Sequence, residues 1–348
     1  MTLPPVDGQY MLDLTADLCR IPSPTGYTAR AIERAKAEAV ELGLDVIQTN
    51  KGSLLISLGG EGSGGRMLSA HLDTLGLMVK EIKSNGRLKL TMIGGYDWST
   101  VEGEYCTIHT AKQGDIGGTV VATLASFHTH GPALRDLKRD ADGLEVRIDA
   151  PVKSADDVRA LGIEVGDFIS LDSRTTTTDN GYIKSRHLDD KACVAINFGV
   201  AKALKAANAT PARPSWLYVS IWEEVGHGTS AGLPNDVTEV IAVDMAAVGQ
   251  GQASDEQAVT VCVKDSTGPY DYDLSRRLID LAGSHEIDCR VDIYNYYGSD
   301  VSQALRAGYD IRGALVGPGV DASHAYERLH VDSLEATANL LLAYLLTD

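Results

Sequence analysis

The fold is decided by one stretch in the first quarter of the chain, Met67-Leu68-Ser69-Ala70-His71-Leu72-Asp73. The apolar run at its start leads directly into His71 and predicts a buried strand. Residues two apart on a strand face the same side, so His71 and Asp73 can share one site. The carboxylate would hold the imidazole while the other ring nitrogen binds a metal ion. Taken alone, the two residues fit a surface pair at a strand end equally well.

Outward from this strand, helical and strand-like segments alternate along most of the chain. This rhythm predicts an α/β fold with a doubly wound mixed sheet flanked by helices. Ligands of such sheets bind beyond the carboxyl ends of the strands. The predicted helices are Met11–Arg20, Thr28–Leu42, Asp190–Lys205, Tyr272–Ala282, Val301–Ala307 and Asp332–Leu346. The predicted strands are Asp45–Gln48, Leu54–Leu58, Met67–Ala70, Trp216–Trp222, Val240–Met245, Val259–Val263, Cys289–Tyr294 and Ile311–Val316.

Between Gly76 and Phe168 the pattern changes to short alternating runs separated by turns rich in glycine and aspartate. Such runs are typical of strands. We therefore expect an inserted all-β domain over 76–168, within an α/β domain formed by 1–75 and 169–348. The glycine-rich stretches Gly59–Gly65 and Gly317–Gly319 are predicted to be turns, and neither has the spacing of a nucleotide-binding loop.

Composition narrows the classes of partner. The 348 residues include 31 Lys and Arg against 48 Asp and Glu, which gives a formal net charge of −17. We therefore expect no binding to nucleic acid or to a membrane. Residues 1–7 lack the basic and apolar regions of a secretory signal. Five scattered cysteines without a CxxC pair indicate reduced thiols, and together these features predict a cytoplasmic location.

Further acidic residues and a histidine follow predicted strands or begin a helix, and each has an ordinary structural explanation on its own. One aspartate of a pair could cap a helix, paired glutamates could lie in a solvated loop, a buried aspartate could close a turn, and a lone histidine is usually structural. These residues are Asp189, Asp190, Glu223, Glu224, Asp244 and His324. Together with His71, however, they match the ligand set of a two-metal hydrolase, with a spare glutamate as general base.

The motifs resemble those of the dinuclear metallo-aminopeptidases that assemble as hollow tetrahedra. This family includes glutamyl and deblocking aminopeptidases and members described as cellulase-M-like. The resemblance covers essentially the whole chain. It rests on Ala70-His71-Leu72-Asp73-Thr74-Leu75-Gly76-Leu77-Met78-Val79, Leu188-Asp189-Asp190-Lys191, Glu223-Glu224-Val225-Gly226, Ala242-Val243-Asp244 and His324.

The resemblance implies a centre of two divalent metal ions, zinc or alternatively cobalt or manganese. His71 and Asp244 would hold one ion, Glu224 and His324 would hold the other, and Asp189 would bridge them. The implied activity is metal-dependent removal of N-terminal residues from short peptides through a water that bridges the ions.

The resemblance also implies roles around the metal ions. Asp73 would orient His71, Glu223 would be the general base that activates the water, and Asp190 would lie at the helix N-terminus. The inserted domain would be a PDZ-like dimerisation domain, and dimers would assemble further into dodecamers.

Two groups of candidate substrate-binding residues rest on weaker patterns. His128 and His130 have the spacing of residues on one face of a strand, and a loop in this region can reach a neighbouring subunit's site in the family. Gly298, Ser299 and Asp300 resemble the family's Gly-Thr-Asp stretch near the substrate pocket. Exposed histidines and an ordinary strand-to-helix connection are the simpler explanations.

Three alternative functions remain open. Thr74 stands where the family usually has Glu, as in co-catalytic carboxypeptidases and deacylases, so an N-acyl amino-acid deacylase or a carboxypeptidase could use the same centre. A glycosidase needs two separated carboxylates and no metal pair, which adjacent glutamates among metal ligands argue against. A non-enzymatic metal-binding scaffold would have no need of Glu223.

Overall fold

The computed structural model describes residues 2–348. Its helices are α1 (Gly8–Cys19), α2 (Ala29–Glu41), α3 (Phe127–His130), α4 (Pro132–Asp136), α5 (Ala155–Ala160), α6 (Leu188–Ala206), α7 (Tyr272–Ser284), α8 (Asp300–Arg306) and α9 (Val331–Leu346). Within these residues, no helix has both the length and the apolar character needed to cross a membrane.

The strands vary from two to ten residues in length. They are β1 (Val46–Gln48), β2 (Leu54–Gly59), β3 (Gly65–His71), β4 (Gly76–Ile82), β5 (Leu88–Ile93), β6 (Tyr105–Thr110), β7 (Gly114–Ala122), β8 (Leu144–Ile148), β9 (Phe168–Leu171), β10 (Thr176–Thr177), β11 (Tyr182–Ser185), β12 (Ser215–Ser220), β13 (Val237–Val243), β14 (Ala246–Val248), β15 (Val259–Asp265), β16 (Gly268–Pro269), β17 (Cys289–Ile293), β18 (Arg312–Asp321) and β19 (Glu327–His330).

A large mixed sheet forms the centre of the molecule, with the strand order β1-β2-β12-β3-β13-β18-β19-β11-β10. The middle strands β12, β3, β13 and β18 are parallel, and β2 and β15 pair with them antiparallel on either side. Helices α6 and α9 pack on one face and α8 on the other. The mixed α/β fold predicted from the sequence is confirmed.

The central strand β3 is buried along its whole length. A parallel strand covered by helices on both faces is apolar throughout, because neither face meets water. Leu68 packs in the core on the α6 face, while Met67 packs in the core on the α8 face. His71 ends the strand and therefore lies at the carboxyl edge of the sheet.

Strands β4, β5, β8, β7, β6 and β9 form a closed barrel with its own apolar core. Closure satisfies the backbone of every strand, so no edge is left exposed. The chain enters the barrel at Gly76, and the last barrel strand ends at Leu171. Short helices α3, α4 and α5 lie between the barrel strands, so this segment is not purely β. They span four to six residues, which is too short for a helical apolar period to be visible in the sequence.

The turn predicted at Gly317–Gly319 is wrong, because these residues lie inside strand β18. Glycine is required there by close packing of backbone on backbone. A Cβ atom on Gly317 would come within 1.8 Å of the carbonyl oxygen of Asp244, and one on Gly319 within 1.9 Å of that of Asp255. Glycine inside a strand often marks such a close approach of another backbone.

A buried ion-pair cluster ties the amino ends of β3 and β13 to the C-terminal helix. The guanidinium of Arg66 is buried, 3.4 Å from the Glu239 carboxylate, and it donates to the carbonyl oxygens of Tyr344 and Thr347 at 2.9 and 2.6 Å. Tyr344 donates to Glu239 at 2.7 Å. Burial opposes ionisation of Glu239, but the Tyr344 hydroxyl and the Arg312 and Arg66 guanidinium groups lower its pKa overall.

Glu239→Gln should lower the free energy of unfolding by about 3 kcal/mol, because it leaves Arg66 buried without a counter-charge. The lowered pKa of Glu239 means that its contribution is complete above the ordinary glutamate value of 4.5 and is lost as pH falls through the folded-state value. Urea unfolding at pH 7 and pH 4 measures both effects. Glu61→Gln, at an exposed loop position, is the control. Equal midpoints for the two variants at pH 7 would contradict a stabilising role of the cluster.

Candidate metal centre

The candidate ligands meet at the carboxyl edge of the sheet because neighbouring parallel strands end there. His71 ends β3, and Asp244 directly follows β13. Glu223 and Glu224 form a single 3-10 turn just after β12. Asp189 lies in the first turn of α6, and the peptide bond that follows it is cis. His324 lies in the loop after β18.

The Asp189 carboxylate lies between two imidazole rings. Its Oδ1 is 3.1 Å from Nε2 of His71, and its Oδ2 is 3.2 Å from Nε2 of His324. Each carboxylate oxygen thus faces a different histidine nitrogen. A carboxylate whose two oxygens face different ligand groups has the arrangement of a ligand that bridges two metal ions.

Other acidic groups crowd the same place. Single ligand atoms of His71, Asp189 and Asp244 all lie within 4.8 Å of one another. Nε2 of His324 is 3.9 Å from Oε2 of Glu224, and Nε2 of His71 is 3.8 Å from Oε2 of Glu223. The candidate residues therefore form two groups, one around each histidine, that share Asp189.

Burial makes this cluster unstable without compensating positive charge. Burial, followed by the charge of Asp189, raises the pKa of Glu224 to about 8 and that of Asp244 to about 7. Burial likewise raises the pKa of Glu223. In residues 2–348, the buried Oε1 of Glu224 has no hydrogen-bond partner. Buried carboxylates of this kind need cations, and their oxygen and imidazole donors suit divalent metal ions.

Asp73 links the first histidine to the glutamate turn. Its carboxylate accepts hydrogen bonds from the Thr25 hydroxyl at 2.5 Å and from the Glu223 amide at 3.2 Å. Nδ1 of His71 lies 3.0 Å from the carbonyl oxygen of Asp73 and 3.7 Å from its carboxylate. The backbone of Asp73 thus makes the shorter contact with the ring, and its side chain fixes the start of the glutamate turn.

Glu327 was assigned no role from the sequence, yet its buried carboxylate joins two candidate ligands. It accepts hydrogen bonds from the amides of Leu188 at 2.7 Å and Asp189 at 3.2 Å, and from the amide of His324 at 3.1 Å. The available signal was an acidic residue three positions after His324 at the start of a short strand. Glu327 therefore fixes the relative positions of the α6 start and the His324 loop.

Asp190 does not act as a simple helix cap. Its buried Oδ2 accepts a hydrogen bond from the backbone amide of His71 at 3.1 Å. Burial, with the nearby charge of Asp244, raises the pKa of Asp190 well above its ordinary value. Asp190 therefore holds the end of β3 against α6, directly behind the candidate ligands.

The barrel contributes to the site through the loop after β5. Nδ1 of His324 lies 2.6 Å from the carbonyl oxygen of Gly95. This contact orients the ring so that Nε2 faces Asp189 and Glu224. Ring orientation by a carbonyl oxygen on the second nitrogen is the usual environment of a metal-binding histidine.

A cleft of about 630 Å³ opens over the cluster. Its wall combines the candidate ligands with the segment after β17 and the start of α8. The lining residues are His71, Gly95, Asp189, Glu223, Glu224, Gly226, Asp244, Met245, Ala247, Gln252, Tyr294, Asn295, Tyr296, Tyr297, Gly298, Gln303, Ser323 and His324.

The candidate substrate-binding residues are separated by the structure. Gly298 lines the cleft, whereas Ser299 and Asp300 are buried beneath it. The Asp300 carboxylate accepts hydrogen bonds from the hydroxyls of Ser69 at 2.5 Å and Ser220 at 2.6 Å. Asp300 thus joins α8 to β3 and β12 and does not face the cleft.

His128 and His130 lie in α3 on the barrel, and neither lines this cleft. Both are exposed. A spacing of two residues places side chains on one face only in a strand, and α3 is a helical turn, so the predicted shared face is wrong. A role at the site of a neighbouring subunit stays a prediction.

Comparison with known proteins agrees with this geometry. The family model described as M42 glutamyl aminopeptidase matches residues 52–340. The chain is 45% identical over 334 residues to the "Putative aminopeptidase YhfE" of Bacillus subtilis strain 168, with 96% of each chain covered. This coverage includes both the sheet and the barrel.

Solved structures share the fold over almost the whole chain. The TET1 peptidase of Pyrococcus horikoshii superposes with a TM-score of 0.85 at 22% identity, covering 97% of this chain and 100% of the other. The TET aminopeptidase of Thaumarchaeota archaeon SCGC AB-539-E09 gives a TM-score of 0.87 at 16% identity, with coverage of 97% and 96%.

The sequence match, the shared fold and the buried cluster of candidate metal ligands agree with one another. The chain therefore belongs to the M42 glutamyl aminopeptidase family and is an aminopeptidase, a metal-dependent hydrolase of peptide bonds.

Proposed function

We propose that this aminopeptidase holds two divalent metal ions and uses them to remove N-terminal residues from short peptides. One observation carries the proposal: the two oxygens of Asp189 face the imidazoles of His71 and His324 on opposite sides, at 3.1 and 3.2 Å. A carboxylate with only one oxygen directed at other ligands would suit a single ion. Here each oxygen of Asp189 is directed at a different set of candidate ligands.

The ligand sets follow from proximity. His71 and Asp244 would hold one ion, Glu224 and His324 the other, and Asp189 both. The unpartnered Oε1 of Glu224 supports this assignment, since a buried carboxylate oxygen needs a donor or a cation. Mixed nitrogen and oxygen ligands suit zinc, cobalt and manganese, and zinc is our first choice.

When bound, the ions supply Lewis-acid polarisation of the scissile carbonyl group and lower the pKa of the attacking water. Glu223 is the general base, which accepts a proton from that water at its carboxylate and passes it to the leaving amine. Burial raises the pKa of Glu223, which helps it to retain the proton between the two steps. Asp73 holds the Glu223 amide and so fixes the direction of the base.

The deacylase and carboxypeptidase alternatives receive no support from the cleft. Thr74, the residue that kept them open, is buried and donates from its hydroxyl to the carbonyl oxygen of Leu75 at 3.0 Å. It does not line the cleft. The presence of threonine in place of the family's glutamate at this position therefore affects local packing. It does not alter the wall of the cleft.

We further propose that 76–168 is a PDZ-like dimerisation domain inserted into a catalytic domain of 1–75 and 169–348. Strand β9, which runs three residues past 168, completes the barrel. A dimer, and from it a dodecamer, would then be the working assembly. The Pyrococcus horikoshii TET1 peptidase is described as assembling into a tetrahedron or a large octahedral shell, which supports self-association here. A cytoplasmic location stays a prediction.

Metal-depleted protein should be inactive on aminoacyl p-nitroanilides and should regain activity with Zn²⁺, Co²⁺ or Mn²⁺. The N-acetylated form of each substrate should not be cleaved, because an aminopeptidase needs a free amino group. Release of p-nitroaniline from the free and the acetylated substrates, before and after treatment with a chelator, measures the metal dependence and the need for a free amino group. Cleavage of the acetylated substrates would favour the deacylase alternative.

Glu223→Gln should lower kcat by about 10²–10⁴-fold, because it removes the proton acceptor and leaves the ligands in place. Metal content, measured by elemental analysis after dialysis, should stay at the wild-type value. Glu61→Gln, on an exposed loop, is the matched control and should keep full activity. Activity of Glu223→Gln within threefold of wild type would refute its role as base.

Asp189→Asn should lose more metal than any other single ligand change, because both ions share this carboxylate. We expect two ions per subunit in the dialysed wild type, about one in His324→Ala and fewer than one in Asp189→Asn. Elemental analysis and titration calorimetry with Zn²⁺ give these values. If Asp189→Asn and His324→Ala each retained one ion, Asp189 would not be the bridge.

A further inference from the structure

Among the described residues, the basic side chains in the wall of the cleft are only those of the candidate ligands His71 and His324. Among its lining residues in the described part of the chain, none is lysine or arginine. Outside the candidate ligands and Glu223, the wall consists of glycines, alanine, methionine, serine, tyrosines and amide side chains. The N-terminal residue of a peptide must lie against this wall once its amino group is near the ligands.

Bound metal ions would not give the cleft a net positive charge. This inference rests on the proposed function. Glu223, Glu224, Asp189 and Asp244 supply four negative charges, which equal the charge of two divalent ions. The loaded centre therefore has little positive charge to offer a substrate side chain. A carboxylate entering the cleft would lose its hydration without gaining a cation.

Three polar side chains of the wall are engaged in internal hydrogen bonds, whereas Asn295, Tyr296 and Ser323 make none within residues 2–348 and are exposed or partly exposed. The amide of Gln252 donates to the carbonyl oxygen of Ile293 at 2.9 Å, and the Tyr297 hydroxyl donates to that of Met245 at 2.7 Å. The Tyr294 hydroxyl is 2.6 Å from that of Ser254. These side chains shape the wall and have little capacity left for a ligand.

Gln303 differs from them. It is 7% exposed and lines the cleft from the first turns of α8. Its hydrogen bonds in residues 2–348 are made by its backbone, to Ser299 at 3.1 Å and Ala307 at 3.0 Å. Its amide lies beside Gly226, just past the glutamate turn, where a Cβ atom would be 3.8 Å from its Oε1. Gln303 is buried as a residue, yet its amide atoms remain accessible from the cleft and make no internal hydrogen bond, so the amide can bind a ligand there.

We infer that this cleft selects peptides whose N-terminal residue has an uncharged side chain, that the Gln303 amide is the group that contacts that side chain, and that glutamate and aspartate are rejected. The family name describes a glutamyl aminopeptidase, so the specificity of this chain departs from that name. Gln303 acts as a specificity-determining residue, because an amide satisfies a neutral polar group but cannot neutralise a carboxylate.

The test compares two substrates that differ in charge and hardly in shape, glutaminyl and glutamyl p-nitroanilide. The metal-loaded wild type should show kcat/KM at least tenfold higher for the glutaminyl substrate. Titration calorimetry with free L-glutamine and L-glutamate gives a second measurement that does not require turnover, and L-glutamate should bind more weakly by a similar factor.

Gln303→Lys should reverse this preference by placing a cation on the wall, moving the glutamyl-to-glutaminyl ratio by tenfold or more. Gln257→Lys makes the same chemical change at an exposed position away from the cleft and should leave the ratio unchanged. If Gln303→Lys fails to fold, Gln303→Glu, nearly the same size, should lower the glutamyl activity further while leucyl p-nitroanilide is still cleaved.

The outcomes separate this inference from the proposed function. A wild type that cleaves both substrates and prefers the glutamyl one would overturn the neutral cleft and leave the aminopeptidase mechanism intact. A ratio that is equally insensitive to Gln303→Lys and Gln257→Lys would overturn the role of Gln303. Absence of metal-dependent cleavage of every free-amine substrate would instead contradict the proposed function itself.

Discussion

The site depends on a single electrostatic constraint, the concentration of buried carboxylates around Asp189. Four acidic side chains and two imidazoles lie together at the base of the cleft, and burial raises the pKa of Glu223, Glu224 and Asp244. Such a cluster is tolerable only when cations offset it. The fold brings this charge together by ending its central strands at one edge, so that candidate ligands distant in sequence lie side by side.

A second set of carboxylates holds the first in place without touching the cleft. Asp73 accepts a hydrogen bond from the Glu223 amide, and Asp190 accepts one from the His71 amide. Glu327 accepts hydrogen bonds from amides of both the α6 start and the His324 loop. Each bond ties a candidate functional residue through its backbone. Side-chain orientation is thereby set by main-chain geometry, which costs less conformational entropy than long flexible contacts.

Much of this arrangement was predictable because its signals are local. An apolar run that ends in a polar residue identifies a buried strand and its functional end, as at His71 and Asp244. Contacts between distant segments left no such signal. Gly317 and Gly319 are glycines because another backbone passes over their strand, and this cannot be distinguished from a turn by sequence pattern. Asp300 looked like a pocket residue, yet its partners Ser69 and Ser220 come from two other strands. Glu327 likewise gains its role only when the His324 loop folds against α6.

The contact between His324 and Gly95 has a consequence for how this architecture arose and how it can be engineered. The barrel begins only three residues after Asp73, and its β5 loop returns to orient a histidine from the far end of the chain. The barrel is thus no detachable module: excising it and rejoining the sheet would deprive His324 of its ring contact. Recombination that exchanges barrels between relatives would have to preserve this loop, even where it alters the rest of the barrel surface.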